Sequence, residues 1–230
     1  MSLKKIFLKT KLTYKIYLYY NLYIRHKSYL KRSQYSQWGE DKYINDFFKD
    51  KKKGIYFDIG CFHPLMYSNT CLLYEKGWQG VNIDINPTSI DLFNIARPND
   101  INLCTTISDI KKVFDVFYDD PFSPINTLDK KFYENLKNKF FKERKKTTVE
   151  SMTFKEILEI SNIDENIDFI NIDVEGMDYQ ILKNIDLNQL KPRMIAIETH
   201  DVDGSKYKDF ESIVKWMENN SFSIHKRVGP

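Results

Sequence analysis

A doubly wound α/β fold with a mostly parallel sheet is what the sequence predicts, preceded by a basic helical extension. Two observations carry this. Strand-like and helix-like segments alternate from about residue 38 onward, and two short β-favouring runs, Tyr56-Phe57-Asp58-Ile59-Gly60 and Val81-Asn82-Ile83-Asp84, each carry an acidic residue to their end. Parallel strands need crossover connections, so alternation at this spacing places helices on both faces of one sheet. With 230 residues, 42% of them hydrophobic and 29% charged, one main core is the expectation.

The extension comes first. Residues 1–34 stand apart from a domain at 35–230 by charge: residues 1–32 hold nine Lys/Arg and no Asp or Glu, against 26 basic and 32 acidic residues in the remainder. From Leu3 to Arg32, Lys alternates with Ile, Leu, Phe and Tyr, as in an amphipathic helix. Its longest uncharged run, Ile16 to Ile24, is roughly half of what a membrane span needs, and no small-residue cleavage site follows an apolar core. Two roles stay open. The helix packs on the body or on a second copy as a homo-oligomer, or it makes peripheral contact with an anionic membrane. Nucleic acid is not an expected partner, because the body has no basic stripe interleaved with stacking aromatics.

Within the body, Asp41 to Lys49 shows the spacing of one helix face and stops at Gly54. Ile55 to Ile59 reads as strand, Asn69 to Lys76 as helix ended by Gly77, and Val81 to Ile85 as strand closed by Asn86-Pro87. Thr88 to Ala96 continues as helix, Ile101 to Ile107 as a third strand, and Val113 to Tyr118 as an extra one. Pro121 to Lys146 interrupts the rhythm as a polar, Lys-rich insertion with a helix near Lys130 to Phe141, a candidate substrate lid. Thr148 to Met152 resumes as strand and Thr153 to Ile160 as helix, with Thr153 and Glu156 spaced for a capping box. Strands at Ile167 to Ile172 and Met194 to Glu198 flank a helix at Met177 to Ile185; a helix at Tyr207 to Met217 and a last strand at Phe222 to Val228 close the chain. The stop at Val228-Gly229-Pro230 falls where a hairpin is expected to turn, which suggests a truncated C-terminus.

In a doubly wound sheet, ligands bind beyond the C-terminal strand ends near the topological switch point. Asp58 and Gly60 end strand one and Asp84 ends strand two, where an acidic side chain takes a ribose diol; the competing role for either Asp is to cap the next turn. No G-x-G-x-x-G follows. Cys61-Phe62-His63-Pro64 is a bulky turn that cannot cradle a pyrophosphate, so S-adenosylmethionine fits better than NAD. Asp173 and Glu198 end two later strands, with His63 and His200 at neighbouring strand ends. Such a set suits a divalent metal ion (Fe, Mn or Mg), a general base or substrate hydroxyls; the alternative for the histidines is hydrogen bonding to loops. Cys61, Cys71 and Cys104 are too few and too irregular for a disulfide framework, which points to a reducing, cytoplasmic setting.

Ser36-Gln37-Trp38-Gly39-Glu40-Asp41, Tyr56 to Gly60, Tyr67-Ser68-Asn69-Thr70, Gly80 to Asp84, Thr148 to Phe154 and Ile170 to Gly176 together resemble the FkbM family of S-adenosylmethionine-dependent O-methyltransferases, over about residues 35–200. The resemblance implies a Rossmann-like fold of the class I methyltransferase type. It implies that Gln37, Asp58, Gly60 and Asn69 line the methionine end of the cofactor, that Asp84 holds the ribose, and that Ser108 and Asp109 meet the adenine edge. Cys61 and Pro64 stand where the family more commonly has Ala and a glycine, which puts the turn's contacts in doubt. The implied reaction is methyl transfer to an oxygen, frequently a carbohydrate hydroxyl in surface polysaccharide or capsule biosynthesis, with a nucleotide-linked sugar as one acceptor. Asp173, His63 and His200 are then the catalytic candidates, and His63, Asp173, Glu198 and His200 the metal ligands. Two rivals remain: an NAD-linked sugar oxidoreductase of Rossmann type, and a non-catalytic, membrane-associated partner of a glycan assembly complex at the inner face of the membrane.

Overall fold

The structure, a computed structural model, describes residues 10–118, 120–124, 126–136, 145–163, 167–200 and 207–229. Five parallel strands form the main sheet: β1 (Ile55–Ile59), β2 (Gln79–Asp84), β3 (Ile101–Cys104), β7 (Phe169–Ile172) and β8 (Met194–Ile197), in the order β3-β2-β1-β7-β8. The α/β, doubly wound expectation holds. Chain order reverses direction between β1 and β7, so the switch point lies there. In register, Asp58 sits opposite Asn82 and Asn171, and Asp84 opposite Cys104.

Alternation along the central strands gives the two faces different chemistry. Phe57, Ile59, Val81, Ile83, Ile170 and Ile172 pack with Phe154 and Ile157 of helix α6 (Phe154–Ser161) and with Ile181 and Leu182 of α7 (Asp178–Lys183). On the other face, Tyr56 and Phe169 meet Ile44 and Phe48, at and just beyond the end of α2 (Glu40–Phe47), and Leu73 of α3 (Cys71–Glu75), with Trp78. That second face also holds the intervening polar residues, Asp58, Asn82 and Asn171, all buried. Thr153 caps α6 with Glu156 closing the box, as its sequence predicts.

The third strand departs from expectation. Ile101 to Ile107 is not one strand but two: β3 pairs with β2, and β4 (Thr106–Ile107) pairs with β6 (Lys145–Met152) in a separate three-stranded sheet with β5 (Val113–Tyr118). Thr105 makes the change of partner, its N–H donating to the Asp84 carbonyl at 3.0 Å and its hydroxyl to the Glu150 carbonyl at 2.7 Å. β5 and β6 form an antiparallel hairpin closed at Tyr118 opposite Lys145. The helix within the insertion, α5, runs Lys130–Leu136; Phe141 lies outside the described residues.

The final strand is absent as well. Residues 222–229 join no sheet. His225 instead lies tilted against Tyr43 and edge-on to Phe47, each at 5.7 Å between ring centroids, and Lys226 lies over the Tyr43 ring, so aromatic contacts hold the segment against α2. The last helix, α9 (Phe210–Asn219), precedes it, and α8 (Leu187–Leu190) leads into β8.

The extension is helical: α1 (Lys11–Tyr20) opens with a Thr10–Thr13 capping box and continues through a π-helical turn at Asn21–Arg25. It packs on the body. Leu18 and Leu22 close over Leu92 of α4 (Pro87–Ala96), the Tyr14 hydroxyl donates to Asp91 at 2.8 Å, and Tyr17 meets Phe122 edge to face. Among the described residues no helix is long and apolar enough to cross a membrane.

Candidate functional site

The turn after β1 is set by a buried polar network on the second face of the sheet. Asp58 accepts the Asn171 amide at 2.9 Å on one oxygen and the Thr70 hydroxyl on the other. Arg97, 1% exposed, donates to Thr70 (2.8 Å), Tyr56 (3.1 Å), Ser68 (2.9 Å) and the Pro64 carbonyl (2.6 Å). The Tyr56 hydroxyl donates at 2.6 Å to Asp100, which also accepts the Gly80 N–H. Burial opposes the charge on Arg97, yet Tyr56, Cys71, Asp58 and Asp100 around it hold the guanidinium charged. Burial likewise raises Asp58, against the hydrogen bonds from Thr70 and Asn171 and the nearby Arg97 charge. Asn69 donates to Asn171 at 2.9 Å, so the whole Ser68-Asn69-Thr70 run is wired to the strands beneath it.

Gly60 turns the chain over the sheet edge with φ +85°, and a Cβ there would meet the Asp173 carbonyl oxygen at 1.7 Å. Only glycine satisfies both conditions. Where a phosphate-binding loop is missing, a side chain performs the closure: Asp84 accepts the N–H of Phe62 at 2.9 Å and that of Asn86 at 2.7 Å. Burial at the sheet edge pushes Asp84 up to about 7 despite both bonds.

Across the switch point, Asp173, Glu175 and Glu198 bring carboxylate oxygens within 4.8 Å of one another. The strands place them, since Asp173 N–H donates to the Ile59 carbonyl and Glu198 N–H to the Ile172 carbonyl. Burial raises both Asp173 and Glu198, the charge of Asp173 raises Glu198 further, and a hydrogen bond between the two carboxyls offsets part of the rise at Asp173. Glu40, from the capped turn into α2, adds its charge to Asp173. That turn explains the Ser36–Asp41 segment: Asp41 accepts the Tyr35 N–H and the Ser36 hydroxyl, and Glu40 accepts the Trp38 N–H.

Not every candidate arrives. His63 and His200 are outside the carboxylate group. His63 is 2% exposed; its Nδ1 accepts the N–H groups of Leu65 and Met66, which leaves Nε2–H to donate to Asn21 at 3.1 Å. With both nitrogens so engaged and the pKa lowered to about 3 by burial, it offers neither a metal lone pair nor a base to solvent. His200 lies 3.5 Å from the Thr199 hydroxyl. Ser108 and Asp109 follow β4, where the Ser108 N–H donates to the Met152 carbonyl at 3.0 Å and its hydroxyl to Asp109 at 3.0 Å. Gln37 is exposed in the turn before α2.

Arg97, Asp100 and Asn171, to which the sequence assigns no role, carry much of this network, and Glu175, expected to shape the turn, joins the carboxylate group. One signal was available. Asn171, flanked by Ile170 and Ile172 in a buried strand, requires a hydrogen-bond partner. A family model described as Methyltransferase FkbM domain matches residues 52–224. No curated protein and no solved structure matches the chain.

Proposed function

Because the chain belongs to the FkbM methyltransferase domain family, we propose that it is an S-adenosylmethionine-dependent O-methyltransferase acting on a carbohydrate hydroxyl, free or nucleotide-linked, in surface polysaccharide assembly. The observation that carries the proposal is the group of Asp173, Glu175 and Glu198, whose carboxylate oxygens lie within 4.8 Å of one another beside the turn at Gly60. The oxidoreductase alternative loses its support with the family match.

S-adenosylmethionine, when bound, supplies a methyl group on a positively charged sulfur. The residues here fit it: Asp84 uses two backbone donors and keeps lone pairs for a ribose diol, whose hydroxyls would relieve a carboxylate short of solvation. As the acceptor oxygen takes up that methyl group, its hydroxyl proton would pass to Asp173. Its raised pKa makes it a stronger base than an exposed carboxylate, and Glu198 holds it in place. Positioning supplies much of the rate. The insertion supports a covering role, since Pro121 accepts from Asn86 beyond β2 and the Thr127 hydroxyl donates to the Glu175 carbonyl beyond β7.

Asp173, Glu175 and Glu198 also form an all-oxygen donor set that suits magnesium or manganese, as a Lewis acid for the developing alkoxide. Iron loses its case with the two histidines outside the group. The unpaired Cys61, Cys71 and Cys104 support a cytoplasmic setting. Calorimetric titration with S-adenosylmethionine, S-adenosylhomocysteine and NAD tests the cofactor assignment: the first two bind and NAD does not. NAD binding without response to either sulfur nucleoside would sink it.

A further inference from the structure

Among the described residues, the helix of the extension has two apolar faces, and one of them packs on the body. Tyr14, Tyr17, Leu18 and Leu22 turn toward α4 and Phe122. On the opposite side Leu12, Ile16, Tyr19, Tyr20, Tyr23 and Ile24 recur at helical spacing and face solvent, Leu12 at 70%, Ile16 at 50% and Ile24 at 60% exposure. A single helix thus contributes six of the fourteen large exposed hydrophobic residues of the described chain. Such concentration marks an interaction surface, where scattered residues would not.

We propose that this stripe docks the protein on the surface of an anionic lipid bilayer. Charge selects that occupant: residues 1–32 carry nine basic residues and no acidic one, whereas the rest of the chain is net acidic. Lys11 and Lys15 are exposed beside the stripe, and Lys27, Lys31 and Arg32 follow it, all exposed. The tyrosines put a wet hydroxyl on an apolar ring, which suits the headgroup boundary. Since no described helix can cross a membrane, α1 lies along the surface with its inner face still held by α4. The proposal is independent of the methyl-transfer reading.

Vesicle co-sedimentation of the full chain tests it, with phosphatidylcholine alone or mixed with phosphatidylglycerol. The chain is expected to sediment with the anionic vesicles, to stay in solution with neutral ones, and to be released by high salt. Ile16→Ser/Tyr19→Ser/Tyr23→Ser should weaken partition about tenfold or more while leaving the melting temperature near that of the parent. A parent that ignores anionic vesicles overturns the proposal. So does a triple variant that binds as well as the parent, or a parent dimer that the triple variant converts to monomer, which would make a second copy the occupant. Should the triple variant misfold, Ile16→Trp replaces it: quenching of its emission by brominated anionic lipid supports the proposal, and absence of quenching overturns it.

Discussion

The Asp173 carbonyl oxygen fills the space that a side chain at Gly60 would need, 1.7 Å from the position of its Cβ. The turn after β1 and the backbone that carries the Asp173 carboxylate are therefore in direct contact.

Gly60→Ala should be destabilised by about 2–4 kcal/mol, from the clash and from an L side chain at φ +85°. Urea denaturation measures it, and a loss below half of one kcal/mol would show that the Asp173 backbone yields.

Arg97→Met removes one cation from a site where Asp58 and Asp100 depend on it, at a cost of about 3–5 kcal/mol. Arg97→Lys should recover little of this, because one ammonium cannot reach Thr70, Tyr56, Ser68 and Pro64 together. Chemical denaturation of the pair checks both statements.

Asp178, 1% exposed behind the acidic group, is pushed up to about 7 by burial and by Asp173. Below about pH 4 the folded and unfolded chains are both protonated at this group. Between there and about 7 only the folded chain keeps the proton, so stability falls as pH rises through that window. Asp178→Asn should flatten the fall, gaining up to a few kcal/mol over the parent at pH 8 and nothing at pH 4. Parallel pH profiles of equal slope would contradict it.

His63 should stay neutral, as the Nε2–H tautomer, down to about pH 4, while an exposed imidazole titrates near 6.5. Nitrogen-resolved NMR of the imidazoles reads the tautomer directly. The linkage runs opposite to that of Asp178: below 6.5 the unfolded chain takes a proton that the folded chain refuses, so His63→Gln should lose less stability on acidification than the parent.

If Asp173 is the base of the proposed reaction, Asp173→Asn should lower kcat about 100-fold or more and leave S-adenosylhomocysteine binding within a few-fold. Activity after exhaustive chelation decides whether the acidic trio acts alone or with a cation.

What the sequence revealed of the fold follows periodicity. The apolar runs of β1, β2 and β7 are buried on both faces and admit no other reading. Ile101 to Ile107 reads as one strand because periodicity reports extended backbone and is silent about which neighbour it pairs with. Phe222 to Val228 alternates as a strand does, yet its partners are aromatic rings on α2. Asp58 and Asp84 lie near and at the ends of β1 and β2, as the strand pattern predicts. Arg97 was not legible, because an arginine after a helix looks the same in sequence whether it is solvated or fully buried. His63 shows the converse: a strand-end position does not reveal that two backbone N–H groups already claim its ring.

Thr105, by serving two sheets, also separates what can vary from what cannot. The hairpin of β5 and β6 is anchored through β4 to the strand that borders Asp84, and it closes at Tyr118 opposite Lys145 before the insertion departs. Residues 119–144 thus leave and return at one fixed base. Changes of length or composition between those two ends therefore need not disturb the strand edge at Asp84.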